Sequence, residues 1–166
     1  MTLPRAAAGS LLALIGICAS VSFNAFAAPS TFAPVIGSAL LCRSHLDNAY
    51  FHSWLTTAFG PAHKQEGGAH WFKPDATLWG KPVLEVMVSD DTDPLVFVAA
   101  VIDSKPEELE DAIRAGAGLR HLPADASRYP LRVSNPGSVI AYHSDKSKIY
   151  CARYKPLPPV PLPLLR

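Results

Sequence analysis

Three residues at metal-ligand spacing stand in one polar stretch of the sequence. His63, Glu66 and His70 form the pattern H-x2-E-x3-H. Zinc takes imidazole nitrogens and carboxylate oxygens from proteins, usually three or four at a time, and His143 would add a ligand if the end of the chain folded back. The spacing matches no helical zinc motif, because two glycines interrupt it. A metal-binding or metal-dependent protein is therefore the alternative interpretation, and the leading interpretation requires no metal or other cofactor.

A second group of residues combines aromatic rings with basic side chains. It comprises His70, Trp71, Lys73, Trp79 and Lys81, all within one stretch of twelve residues. Aromatic side chains at the centre of an interface contribute much of the energy of protein recognition. The group predicts a surface that binds a protein or peptide. The competing interpretation is that both tryptophans fill the interior of a sheet.

The sequence contains no signature of a catalytic site, and no catalytic residue is predicted. It has no G-x-S-x-G elbow, and Asp90, Asp91 and Asp93 resemble a solvated turn more than a calcium loop. His45 and His52 are seven residues apart, which on a helix is about 10 Å and too far for a shared metal ion. Enzymatic activity is left open, and a non-catalytic protein is favoured.

The first 27 residues have the pattern of a secretory signal peptide. A single basic residue, Arg5, precedes an apolar run over residues 11–23, and a small-x-small cleavage site ends at Ala27. The run is shorter than the ~20 apolar residues of a membrane-spanning helix. We expect a periplasmic or secreted protein with no stable membrane span after cleavage.

Charge and cysteine content narrow the class of protein further. Loss of Arg5 with the signal peptide leaves 14 basic and 14 acidic residues, and this balance argues against a nucleic-acid partner. Of the three cysteines, Cys18 lies in the signal peptide, so Cys42 and Cys151 remain. Two cysteines in an exported domain predict one disulfide bond.

The pattern of apolar residues predicts the elements that would position these groups. Residues 38–59 read as one long, mostly apolar helix that Gly60 and Pro61 end. A second helix is predicted after Ser104, where a capping box and a proline coincide. The fold class is α+β: a two-layer structure with a mainly antiparallel sheet of about five strands and two helices, in the order α-β-β-β-α-β-β(β).

The predicted domain organisation has four parts. These are a signal peptide (1–27), a short leader (28–37), a single α+β domain (38–155) and a proline-rich C-terminal tail (156–166). The favoured function is an exported, non-catalytic binding module for a protein or peptide. A metal protein that uses His63, Glu66 and His70 is one alternative, and a structural component of the cell envelope is another.

Overall fold

The computed structural model describes residues 28–155, which form one antiparallel sheet with helices on one face. A π-helical turn (Ala33–Gly37) leads directly into α1 (Ser38–Leu40), and α2 (Asn48–Phe59) and α3 (Pro106–Ala117) are longer. The strands are β1 (Lys64–Glu66), β2 (Ala69–Phe72), β3 (Ala76–Leu78), β4 (Lys81–Ser89), β5 (Leu95–Ile102), β6 (Leu122–Pro123), β7 (Arg132–Val133), β8 (Val139–His143) and β9 (Lys146–Tyr154).

The predicted α+β class with an antiparallel sheet is confirmed, but the number of elements is larger. Residues 28–155 contain nine strands and three α-helices, where about five strands and two helices were expected. β1, β3, β6 and β7 are only two or three residues long. Alternation over so few residues gives no readable period, because that signal needs at least four.

The single helix predicted over residues 38–59 is wrong in its first half. The helical conformation stops at Leu40, and Cys42 has a left-handed φ of 56° that an α-helix cannot contain. The chain becomes helical again at Asn48, where the Asp47 side chain caps α2 by accepting from the N–H of Tyr50 at 3.0 Å. His45 therefore lies outside the helix that carries His52.

Residues that the sequence assigned to a leader belong to the core of this structure. Phe32 and Ile36 are buried, and the ring of Phe32 packs edge-to-face against Phe59 with centroids 5.6 Å apart. An aromatic pair of this geometry contributes about 0.5–1.5 kcal/mol beyond the burial of its area.

Helix α3 lies where the sequence placed it, although its cap differs. Lys105 is the N-cap residue and makes no side-chain cap, so the expected capping box at Ser104 is absent. The helix begins because Pro106 fixes a helical φ at its first position. It ends at Gly118, whose left-handed φ of 66° suits a residue without a Cβ atom.

The sheet has two faces with different surroundings. Its strand order is β1-β2-β4-β5-β9-β8-β7-β6, and β3 pairs with β4. Directly paired residues share a face, so the register Met87–Ala99–Tyr150 marks one face and Val88–Val98–Cys151 marks the other. The helices pack on the second, which we call the helix face; the first we call the open face.

The helix face holds the main core and the disulfide bond. Cys42 and Cys151 are bonded with their Cα atoms 5.3 Å apart, as the cysteine count predicted. The bond ties the turn after α1 to the central strand β9 across 109 positions of sequence. Closing so long a loop contributes at most about 4–5 kcal/mol in the chain-entropy model. Within residues 28–155, no helix is long and apolar enough to cross a membrane.

Candidate functional site

The five residues of the predicted binding surface do not come together. Trp71 lies on the open face, where its Nε1 donates to the Glu66 carbonyl at 3.0 Å and the Lys64 ammonium lies 4.0 Å from its ring. Trp79 packs on the opposite side of the sheet, against the backbone of Gly37 and Gly116. The sheet separates the two rings, so they cannot contact one ligand side by side.

The basic residues of that group are also dispersed. Lys81 pairs with Glu108 of α3 at 3.3 Å, whereas Lys73 is exposed beside Asp75 near the end of α2. His70 points to the helix face, and its ring contacts that of His52 at a tilt of 51°. Alternation along β2 explains part of this separation, because His70 and Trp71 are successive residues and must face opposite ways.

The four residues of the alternative metal site have separate partners or positions. His63 approaches Glu85 at 3.6 Å, and Glu66 pairs with Lys64 at 2.8 Å. His143 ends β8, four strands from β2 and therefore about 19 Å away across the sheet. Among residues 28–155, no group of three or more His, Cys, Asp or Glu side chains is arranged to hold a metal ion.

A polar cleft that the sequence did not reveal forms where α2 crosses β2. We call it the histidine cleft and define it by Asn48, His52, His70, Asp90 and Asp91, which line a volume of about 170 Å³. The rings of His52 and His70 have centroids 4.3 Å apart. Burial and the neighbouring His70 both lower the pKa of His52 from its usual 6.5, because the charged imidazolium loses solvation and meets a like charge.

The acidic groups of the cleft are satisfied within the protein. Thr92 and Gln65 donate hydrogen bonds that lower the pKa of Asp90 to about 2. Asp91 accepts from Lys155 at 2.6 Å and from the Asn48 amide at 3.0 Å. These bonds fasten the first turn of α2 to the β4–β5 turn. The cleft therefore forms a polar joint between helix and sheet.

The second region of interest is a hairpin at the far edge of the sheet. β6 and β7 pair through Leu122–Val133 and Pro123–Arg132, and we call residues 122–133 the apolar hairpin. It holds four of the six large apolar side chains that are exposed within residues 28–155: Leu122 (61%), Tyr129 (57%), Leu131 (43%) and Val133 (37%). When a partner covers such side chains, the complex is stabilised by about 25 cal/mol for each Å² of apolar surface that is buried.

Polar contacts hold this hairpin to the body of the protein. Arg132 donates to Glu107 of α3 at 2.9 Å, and the Tyr142 hydroxyl donates to the same carboxylate. The bond from Tyr142 and the pairing with Arg132 lower the pKa of Glu107, and the shared bond raises the pKa of Tyr142. Tyr129 then packs edge-to-face on Tyr142 with centroids 5.0 Å apart. The apolar surface is thus presented on an anchored hairpin.

A buried histidine lies at the base of the apolar hairpin. His121 is 1% exposed, and its Nε2 lies 3.1 Å from the Ser138 hydroxyl. Burial, with a smaller effect of the Arg132 charge, lowers its pKa to about 4. The ring is therefore neutral at pH 7 and serves as part of the packing beneath the hairpin.

The sequence analysis did not single out this hairpin as a surface. Leu122, Leu131 and Val133 would ordinarily be assigned to a core, because apolar side chains in strand pieces are usually buried. Pro123 and Pro130 are the available signals, since prolines favour an edge position over a central one. Comparison of the chain with protein-family models, with curated protein sequences and with solved structures finds no match.

Proposed function

We propose that this protein is an exported, non-catalytic binding module that recognises a protein partner through the apolar hairpin. The observation that carries the proposal is the exposure of four large apolar side chains on one short hairpin. Leu122, Leu131 and Val133 share one face of the sheet through the pairing of Leu122 with Val133, and Tyr129 packs on Tyr142 toward the other face. Exposed apolar residues that stand singly are ordinary, whereas a cluster of them is typical of an interaction surface.

The charges around the cluster indicate the chemistry of the partner. Arg120 and Arg128 are exposed beside it, and Arg128 lies 5.2 Å from the Tyr129 ring. Asp125 is the one acidic residue within residues 119–133. A partner with an apolar depression bordered by carboxylates would complement this surface. Complementary charge at the rim mainly speeds association and selects the partner, while the apolar centre supplies most of the affinity.

The partner is expected to contact side chains more than the backbone. β6 is the edge strand but has only two residues, and one of them is Pro123, which has no N–H to donate. This arrangement blocks extension of the sheet by a strand of another chain. A partner can still bind the side chains that project from the apolar hairpin, and these are its exposed apolar residues.

The disulfide bond supports the exported part of the proposal. Such bonds persist in oxidising compartments and are rare in the cytosol. The Cys42–Cys151 bond is buried within the core, where it has a structural role. Titration of free thiols in the folded protein, purified under non-reducing conditions, tests this support; two reactive thiols would remove it.

Site-specific photo-crosslinking tests the binding surface directly. A photoreactive amino acid at position 131 should yield a discrete crosslinked protein in cells that produce the chain. The matched control places the same group at Tyr50, which is 49% exposed on the helix side of the molecule. Equal crosslinking from both positions would contradict the proposal. Purified partner and protein should then form a complex that Leu122→Ser disrupts.

A further inference from the structure

The open face of the sheet carries an apolar cluster built from strands alone. Its buried members are Ala69, Met87, Ala99 and Val101, and partly exposed members pack around them: Trp71, Leu84, Phe97 and Tyr150. Every helical residue of the core belongs to the other cluster, on the helix face. Within residues 28–155 this face has no second layer, and three aromatic rings form its outer surface.

Strand β9 brings the following part of the chain to this face. Tyr154 is 75% exposed and pairs with Leu95, and the two-residue period of the strand puts it on the same face as Tyr150. Lys155 continues the pairing, because its backbone N–H donates to the Pro94 carbonyl at 2.9 Å. Its ammonium group also bonds Asp91. Lys155, the last residue that the structure describes, is therefore held at one end of the open face.

The segment that starts there has the composition of a ligand for aromatic rings. Residues 156–165 are all proline, leucine or valine, five of them proline, and Arg166 follows. In a polyproline II helix such a segment has no polar side chain on any side before Arg166, and its 11 residues would span about 34 Å. The strand from Tyr154 back to Lys148 covers about 20 Å. The segment is long enough to turn and cross the cluster.

We propose that residues 156–166 lie across the open face of the same chain, with their prolines against Trp71, Phe97 and Tyr150. Proline-rich segments dock on aromatic surfaces because their extended backbone loses little entropy on binding. Connection through Lys155 gives a high effective concentration of the segment at this face. The contact covers two apolar surfaces at once. The register Val133–Val139–Tyr150 puts Val133 of the apolar hairpin on this same face, so the segment and the partner proposed for the hairpin would lie side by side.

Nuclear magnetic resonance of the full chain and of a chain that ends at Lys155 tests the proposal. Removal of the segment should shift the indole N–H signal of Trp71 and the backbone amide signals of Ala99 and Tyr150. A synthetic peptide of residues 156–166, added to the shorter chain, should return these signals saturably toward their positions in the full chain. Shifts confined to Tyr154 and Lys155 would overturn the proposal.

Variants of the full chain separate the contact from general effects. Tyr150→Ser should move the signals of residues 156–166 to those of the free peptide, and Trp71→Ala gives a second, independent change on the same face. Tyr50→Ser is the matched control, because this exposed ring lies on α2 away from the open face. Unchanged segment signals in both face variants would overturn the proposal, as would shifts that depend on protein concentration and accompany a dimeric mass.

Discussion

The histidine cleft and the apolar hairpin lie near opposite edges of the sheet and use their side chains in opposite ways. The cleft concentrates histidine, aspartate and asparagine, yet most of its hydrogen bonds are made within the chain. The hairpin directs its apolar side chains to solvent and keeps the polar Arg132 inward, next to the buried His121 at its base. Aspartate and asparagine of the cleft thus bond within the protein, whereas the apolar residues of the hairpin are exposed.

The largest expected effect concerns acid and the base of the apolar hairpin. The pKa of His121 is about 4 in the folded protein against an ordinary 6.5, so the unfolded chain binds the proton more readily. The stability that results from this difference in pKa is fully present above pH 6.5. The free energy of unfolding therefore falls by about 3 kcal/mol as the pH is lowered from 6.5 toward 4. Urea unfolding at several pH values measures this loss. His121→Gln should flatten the dependence, and an unchanged slope would contradict the assignment.

Next in size is the effect of polar substitution on the apolar hairpin. Leu131→Ser should weaken partner binding at least tenfold, which is about 1.4 kcal/mol, because a central apolar contact is lost. The free energy of unfolding should change by no more than about 0.5 kcal/mol, since the side chain is exposed in the free protein. Calorimetric titration with the partner and urea unfolding give the two values. A large loss of stability with unchanged affinity would show that the apolar hairpin has a structural role and does not bind the partner.

A substitution in the histidine cleft should show the converse pattern. Asn48→Ala removes the hydrogen bond to Asp91 and should lower the free energy of unfolding by about 1 kcal/mol. Partner affinity should stay as in the unmodified protein. The same titration and unfolding measurements apply. If binding weakens while stability is kept, the cleft has the recognition role and the hairpin does not.

The smallest expected effect is that of zinc on the cleft. His52 and His70 alone supply too few ligands for a closed zinc site, and hydrogen bonds already engage both oxygens of Asp90. The melting temperature of untagged protein should therefore be the same with zinc and with magnesium as the matched control. A zinc-specific rise, together with one equivalent of zinc by metal analysis, would show that the cleft rearranges to bind a metal ion.

Local signals in the sequence predicted the longer elements well. β5 (Leu95–Ile102) is a continuous apolar run with turn residues before it, and such a run is readily assigned to a buried strand. The helix after Ser104 and the Cys42–Cys151 bond followed from proline position and from cysteine number. Each of these three inferences uses neighbouring residues or a count, and none depends on knowing how the strands pair.

The parts that failed depend on contacts between distant residues. The contact between the rings of His52 and His70 requires the crossing of α2 over β2, and no spacing in the sequence encodes it. The break after Leu40 comes from the left-handed backbone at Cys42, a conformation that a non-glycine residue rarely adopts. The division between Trp71 and Trp79 depends on strand pairing, which puts one ring on each face of the sheet.

The position of the disulfide has a mechanical consequence. Cys42 and Cys151 enclose nearly the whole sheet in a covalent ring. A force that pulls on the chain before Ala33 and after Lys155 passes from residue 42 to residue 151 through the sulfur atoms, so the strands between them bear none of it. A single proteolytic cut between residues 43 and 150 likewise leaves both pieces attached. The domain can thus be pulled at both ends, or be cut once by a protease, and its pieces stay covalently joined.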